Sequence, residues 1–178
     1  WNYSIKAQAV SGDNQEVNKY LEIWNNESIN DTARLDAFNK AIWIIKDNNL
    51  DSAFVLAEQS YEYAFEKGIK NKIARATNIK GVIFKLKGRE KEALEYYQKS
   101  LSIYKEINDL RGMTIQNNNI ATIFTSSGES QKSFDLLMIN YKLFEKINDT
   151  ALQIVTMSNL NYECFRLNKL DSSFLFLN

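Results

Sequence analysis

The side chains that usually carry catalysis are scarce in this chain. Histidine is absent, which removes the commonest general base, the nucleophiles that depend on one, and the commonest metal ligand. Cys164 is the one cysteine, so neither an internal disulfide nor a thiolate zinc cluster can form. It shares a sequence column with Ile44, Phe84 and Phe124 and is expected to be a buried, inert thiol. Glu62 with Glu66, and Glu90 with Glu95, are the nearest approach to paired acids, and charged residues on a solvated helix face are the common case. No catalytic residue, metal or cofactor is expected.

The chemistry that remains is that of binding. Asn39, Asn119 and Asn159 stand in phase, with Asn118 beside them and Asn78 one position early; a carboxamide both donates and accepts hydrogen bonds. Lys85, Thr125 and Phe165 share one column, and Lys46, Leu86, Ser126 and Arg166 the next, with Arg75 near the start of its segment. With Tyr162 these form a set of basic and aromatic anchors suited to a binding groove. The chain is also rich in asparagine, so a solvated or interhelix role is the alternative for each of them, as scattered surface charge is for the basic residues.

Composition narrows the partners. The 178 residues carry 22 basic and 22 acidic side chains, without the basic excess that phosphate-backbone binding needs. Direct nucleic-acid binding is therefore not expected. No apolar run approaches the ~18 residues of a membrane span; the longest is Ala41–Ile45. A lone cysteine suits a reducing compartment such as the cytoplasm, with the periplasm as the alternative if a leader has been removed. There is no proline, where average usage of about 5% would supply roughly nine. With only six glycines, such a chain can be helical almost throughout.

What positions the candidate residues is a repeat. Ile107-Asn108-Asp109 returns as Ile147-Asn148-Asp149, a step of 40. The same step links Asn48, Gly88, Gly128 and Asn168, residues able to end a helix in the left-handed region. It links the small residues Ala53, Ala93, Ser133 and Ser173, and Ala41, Gly81 and Ala121 with Asn161. It links the large Phe54, Leu94, Phe134 and Phe174. Between the markers, apolar residues recur at steps of three and four, as in Ala93, Leu94, Tyr97, Leu101 and Tyr104. Asp31, Asp109 and Asp149 stand where N-caps belong, and Asp13 with Glu16 has the pattern of a capping box opening a helix near 14–27. Trp24 falls in the column of Tyr104 and Phe144 and is expected in the core.

These residues resemble the tetratricopeptide repeat. Gly81, Gly88, Ala93 and Ser100 match its small positions, and GREKEALEYYQKSL (Gly88 to Leu101) is close to its consensus. The third unit keeps Ala121, Phe124, Gly128 and Ser133, and the first keeps Ala41, Ala53 and Ser60. The resemblance covers residues 34 to 178. The family period of 34 is exceeded by six residues, nearly two helical turns, so both helices of a unit are expected to be about a turn longer. This long-helix form resembles the repeats of kinesin light chains, of peptide-sensing regulators of Gram-positive bacteria, and of modules placed before bacterial sensor kinases and transcription regulators. Asn118 to Ala121 is similar to the AsnAsnLeuAla segment of the kinesin-light-chain type. That resemblance implies that first helices line a concave face and that asparagines there, here Asn39, Asn78, Asn118, Asn119 and Asn159, hydrogen-bond the backbone of an extended peptide.

The expected architecture is all-α, a right-handed superhelical solenoid of antiparallel helix pairs. An N-terminal helical segment (1–31) precedes an array (32–178) with units at 34–70, 74–107, 114–147 and an incomplete 154–178. The expected function is non-enzymatic: a peptide- or protein-binding module serving as the interaction or sensory part of a larger bacterial signalling protein. The alternative is a scaffold or oligomerisation solenoid with no groove ligand. SerPheLeuPheLeu near the end is unlike the polar face of a terminal repeat. The natural chain is therefore expected to continue past Asn178, and Phe174 to Leu177 are expected to be open to self-association.

Overall fold

The computed structural model describes residues 14–143, 146, 147 and 149–169. Among these residues there are eight α-helices and no strand. They are α1 (Gln15–Asn25), α2 (Asp31–Ile45), α3 (Leu50–Glu66), α4 (Lys70–Leu86), α5 (Glu90–Glu106), α6 (Leu110–Ser126), α7 (Ser130–Tyr141) and α8 (Thr150–Arg166). The chain divides into two compact units, Trp1–Ile103 and Tyr104–Asn178. In the first, α2 packs on α1, α3 and α4; in the second, α8 packs on α6 and α7.

Helix boundaries follow local chemistry. Asp109 caps α6 by accepting from the Gly112 N–H at 2.8 Å, and Asp149 caps α8 by accepting from the Leu152 N–H at 3.0 Å. Two expected caps are corrected. The side chain that caps α2 is Asn30, accepting from the Ala33 N–H at 2.9 Å, while Asp31 is the first helical residue. At α1 the cap is Asn14, which accepts from the Glu16 and Val17 N–H groups; Asp13 lies outside the described residues. An Asn one position before Asp or Gln does the same work, so composition alone does not choose between neighbours.

Gly88, Gly128 and Asn168 adopt the left-handed conformation that the breaker column requires, as do Gly68 after α3 and Asn108 after α5. At each of these ends a backbone N–H reaches five residues back, as from Arg89 to the Phe84 carbonyl and from Asp109 to the Tyr104 carbonyl. Asn48 departs from its column: the Asn49 N–H bonds the Ile45 carbonyl in a right-handed course, and the turn there runs one residue longer.

The small columns are where helices meet. Ala53, Ala93 and Ser133 are fully buried, as are Ala41 and Ala121. At Gly81 there is no room for a side chain, since a Cβ would stand 2.7 Å from the Tyr97 ring. The large column is only half-buried at Phe54, Leu94 and Phe134; these residues flank the core rather than fill it. Ser173 and Phe174 lie outside the described residues, as do Phe144 and Asn148. The forty-residue step extends to single bonds. Ser100 of α5 donates to the Ala74 carbonyl at 2.8 Å, and Asn140 of α7, one period on, donates to the Thr114 carbonyl at 3.0 Å.

Candidate functional site

In the first unit the candidates divide between an accessible face and an interior. Arg75, Asn78 and Lys85 lie along one side of α4, at steps of three and seven. Helix α4 carries five basic residues and no acid, whereas α3 carries four acids and no base. The two helices pack together, so opposite signs are brought side by side. Lys80 is buried against Glu58 at 2.7 Å, with its ammonium 4.2 Å from the Tyr61 ring. Arg75 and Lys72 share the single carboxylate of Asp36, at 3.2 and 2.6 Å. Lys85 is half-buried, and desolvation lowers its pKa, with Glu90 opposing the shift.

Asn39 does not join that face, which corrects the expectation of a ligand-contacting side chain there. It is 1% exposed, its Oδ1 accepts from the Ser60 hydroxyl at 2.9 Å, and its Nδ2 is unpartnered. The side chain belongs to the α2–α3 interface because neighbouring Phe38 and Ile42 are drawn into the core.

In the second unit the candidates gather on α6 and α8. Asn118 is 6% exposed and donates from Nδ2 to the Thr156 hydroxyl at 2.9 Å. It therefore ties two helices together, again a correction to an open ligand contact. Asn119 and Asn159 are half-buried. Tyr162 is 55% exposed, and the Arg166 guanidinium lies 5.8 Å from its ring centroid while donating to the Thr125 carbonyl at 2.7 Å. Phe165, 72% exposed, and the exposed Val155 continue the same side of α8.

Glu163 was absent from the candidates although it is the most unusual polar residue of this unit. It is 1% exposed, with Oε1 hydrogen-bonded by the Thr125 hydroxyl and Oε2 unpartnered. The signal was present in the repeat: its column holds Ile83 and Ile123, so a carboxylate there breaks an apolar pattern. Cys164 beside it is fully buried, and desolvation raises its thiol pKa. Among the described residues no cluster of three metal-ligating side chains occurs, and no helix is long and apolar enough to cross a membrane.

No protein-family model matches the sequence, and no curated protein matches it. Solved structures do match. BtubC (BKLC) from P. vanneervenii superposes with a TM-score of 0.70 at 14% identity, over 91% of this chain and 67% of that one. A putative kinesin light chain from Podosopora anserina, with nearly identical TPR-like repeats, superposes with a TM-score of 0.63 at 11% identity, over 99% and 90%. The fold is a tetratricopeptide-type helical repeat. At these identities the likeness is one of fold; the partners of those proteins are not transferred by it.

Proposed function

We propose that the chain is a non-enzymatic interaction module whose second unit takes an extended peptide or protein segment along α8 and the adjoining side of α6. The observation that carries this reading is Tyr162, Phe165 and Val155 standing exposed on one side of α8 beside Arg166. Exposed aromatics beside an arginine are the common anchors of protein recognition. Few charges compete with Arg166 there: α6 and α8 together hold only Arg111, Glu163 and Arg166 as ionisable side chains besides the thiol of Cys164 and the phenol of Tyr162. Asn119 and Asn159 supply amides able to pair with a backbone in either direction. On α4 of the first unit, Arg75, Asn78 and Lys85 offer a comparable basic face. The place of the module within a larger bacterial signalling protein rests on the resemblance of its forty-residue period to the modules that precede sensor kinases and regulators.

The test is selection of displayed random peptides on the 178-residue chain, followed by titration of the enriched peptides against Tyr162→Ala with Arg166→Ala. Weakened binding with an unchanged melting temperature supports the reading. Equal binding to both chains, or no enrichment at all, favours the scaffold alternative.

A further inference from the structure

The contact between α6 and α8 is built from polar pairs at regular spacing. Arg111 meets Asp149 at 2.7 Å, Asn118 meets Thr156 at 2.9 Å, and Thr125 meets Glu163. Successive members are seven residues apart on each helix, so they form one stripe. Subtracting two periods gives the equivalent positions of the first unit: Phe38 with Ala76, and Ile45 with Ile83. All four are buried, and Phe38, Ile45 and Ile83 belong to a single apolar cluster. The two inner positions of the stripe are therefore apolar between α2 and α4, where Asp31 and Ile69 take the outer place and Asp36 is bridged to Lys72 and Arg75 beside them, and polar between α6 and α8.

The polar seam is short of donors. Two side-chain atoms of its paired residues, Asn118 Oδ1 and Glu163 Oε2, are buried without a hydrogen-bond partner. Both are oxygens that accept only. Thr125 has one hydroxyl proton, yet its oxygen stands within hydrogen-bonding distance of both the Ala121 carbonyl, at 2.9 Å, and the Glu163 carboxyl. Water reaching Asn118 and Glu163 would satisfy these atoms, whereas at Phe38, Ala76, Ile45 and Ile83 it would meet hydrocarbon.

We infer that the α6–α8 seam is a yielding joint: α8 opens from α6 as a unit, far more often than α4 parts from α2. Exposed contacts at the two ends, Arg111 to Asp149 and Arg166 to the Thr125 carbonyl, hold the closed form, and the apolar cluster behind them is limited to Ala121, Leu137, Leu160 and Cys164. If α8 also presents Tyr162 and Arg166 to a partner, as proposed above, opening regulates that face. The joint itself does not depend on that reading, and its test uses no ligand.

Amide hydrogen exchange on the 178-residue chain reads the joint directly. Amides of α8 are expected to exchange roughly tenfold or more faster than those of α2 and α4. Thr125→Ile with Glu163→Ile, which copies Ile45 and Ile83, should slow α8 by about the same factor and leave α2 unchanged. If that variant does not fold, Glu163→Gln, which supplies the seam with a donor at equal volume, should slow α8 in the same direction. Protection of α8 equal to that of α2 overturns the inference. So does a folded variant whose α8 exchange is unchanged, because α8 would then be loose for reasons outside the seam.

Discussion

Phe38 and Asn118 hold the same place in two helix pairs, eighty residues apart, and the two units are built around the difference. In the first, Phe38 stacks on Trp24 with centroids 4.4 Å apart, Tyr63 meets the Trp24 ring edge-on at 4.9 Å, and the Arg34 guanidinium lies over both Trp24 and Tyr63. Arg34 is satisfied within the cluster, donating to the Trp24 carbonyl and the Tyr63 hydroxyl. In the second unit the apolar cluster is Ala121, Leu137, Leu160 and Cys164, and much of the remaining interior is amide and hydroxyl. Asn117 donates to Asn140 at 2.9 Å, and Asn140 donates onward to a backbone carbonyl. Apolar burial stabilises in proportion to area; a buried hydrogen bond contributes little net free energy and fixes geometry instead. One helical register can thus serve as a stable anchor or as an adjustable joint, depending on what fills it.

Truncating the aromatic anchor gives the largest expected effect. Phe38→Ala should cost about 3–5 kcal/mol, read by chemical denaturation. All three tryptophans fall at or before Trp43, so tryptophan fluorescence reports the first unit while helical circular dichroism reports both. The comparison fails if Phe38→Ala is as mild as a surface change.

A steric test of the second unit comes next. A Cβ at Gly112 would lie 2.3 Å from the Tyr104 ring, closer than the corresponding 2.7 Å at Gly81 and Tyr97. Gly112→Ala should therefore destabilise by about 1–3 kcal/mol, despite alanine's better helix propensity. A melting temperature at or above that of the parent chain would show that the ring yields freely.

Alkali should distinguish the units more gently. Burial first, then the hydrogen bond to Asp31, push the Tyr63 phenol up to about 12 from 10.0, and burial also raises Tyr96 and Tyr97. Because the folded state holds these protons more tightly, each contribution is complete below pH 10; that of Tyr63 is lost as pH rises from about 10 to 12, and Tyr96 and Tyr97 act in the same direction. Tryptophan fluorescence should change over that window. Tyr63→Phe should flatten part of the loss, and an unaltered profile would remove Tyr63 as its cause. The Asp31 carboxyl is held low, chiefly by the Tyr63 hydrogen bond. Its contribution is present above the ordinary carboxylate range and is lost only as pH falls through the lowered value.

The smallest effect is expected at the seam. In Asn118→Leu, Thr156 keeps its second partner, the Leu152 carbonyl at 2.9 Å, and the unpartnered Asn118 oxygen disappears. Stability should move by less than about 1 kcal/mol, in contrast to Phe38→Ala at the equivalent site. A loss as large as that of Phe38→Ala would mean that the polar seam carries the second unit as firmly as the aromatic core carries the first.

Helix number, helix length and the forty-residue step follow from features that act locally: no proline, apolar residues at steps of three and four, Asp109 and Asp149 as caps, Gly88, Gly128 and Asn168 in the left-handed region. Each is a property of a few neighbouring residues, so the amino-acid order alone determined it. The choice of Asn30 over Asp31 as a cap was at the limit of that reading, because both side chains can perform it. Which polar residues go inside was beyond it. Asn39, Asn118 and Glu163 look like surface residues by type; each is buried because a partner helix brings Ser60, Thr156 or Thr125 to meet it. Those partners lie 21 or 38 residues away in the chain. Only tertiary packing decides such meetings, since the energy of a buried polar group depends on what faces it and not on its own identity.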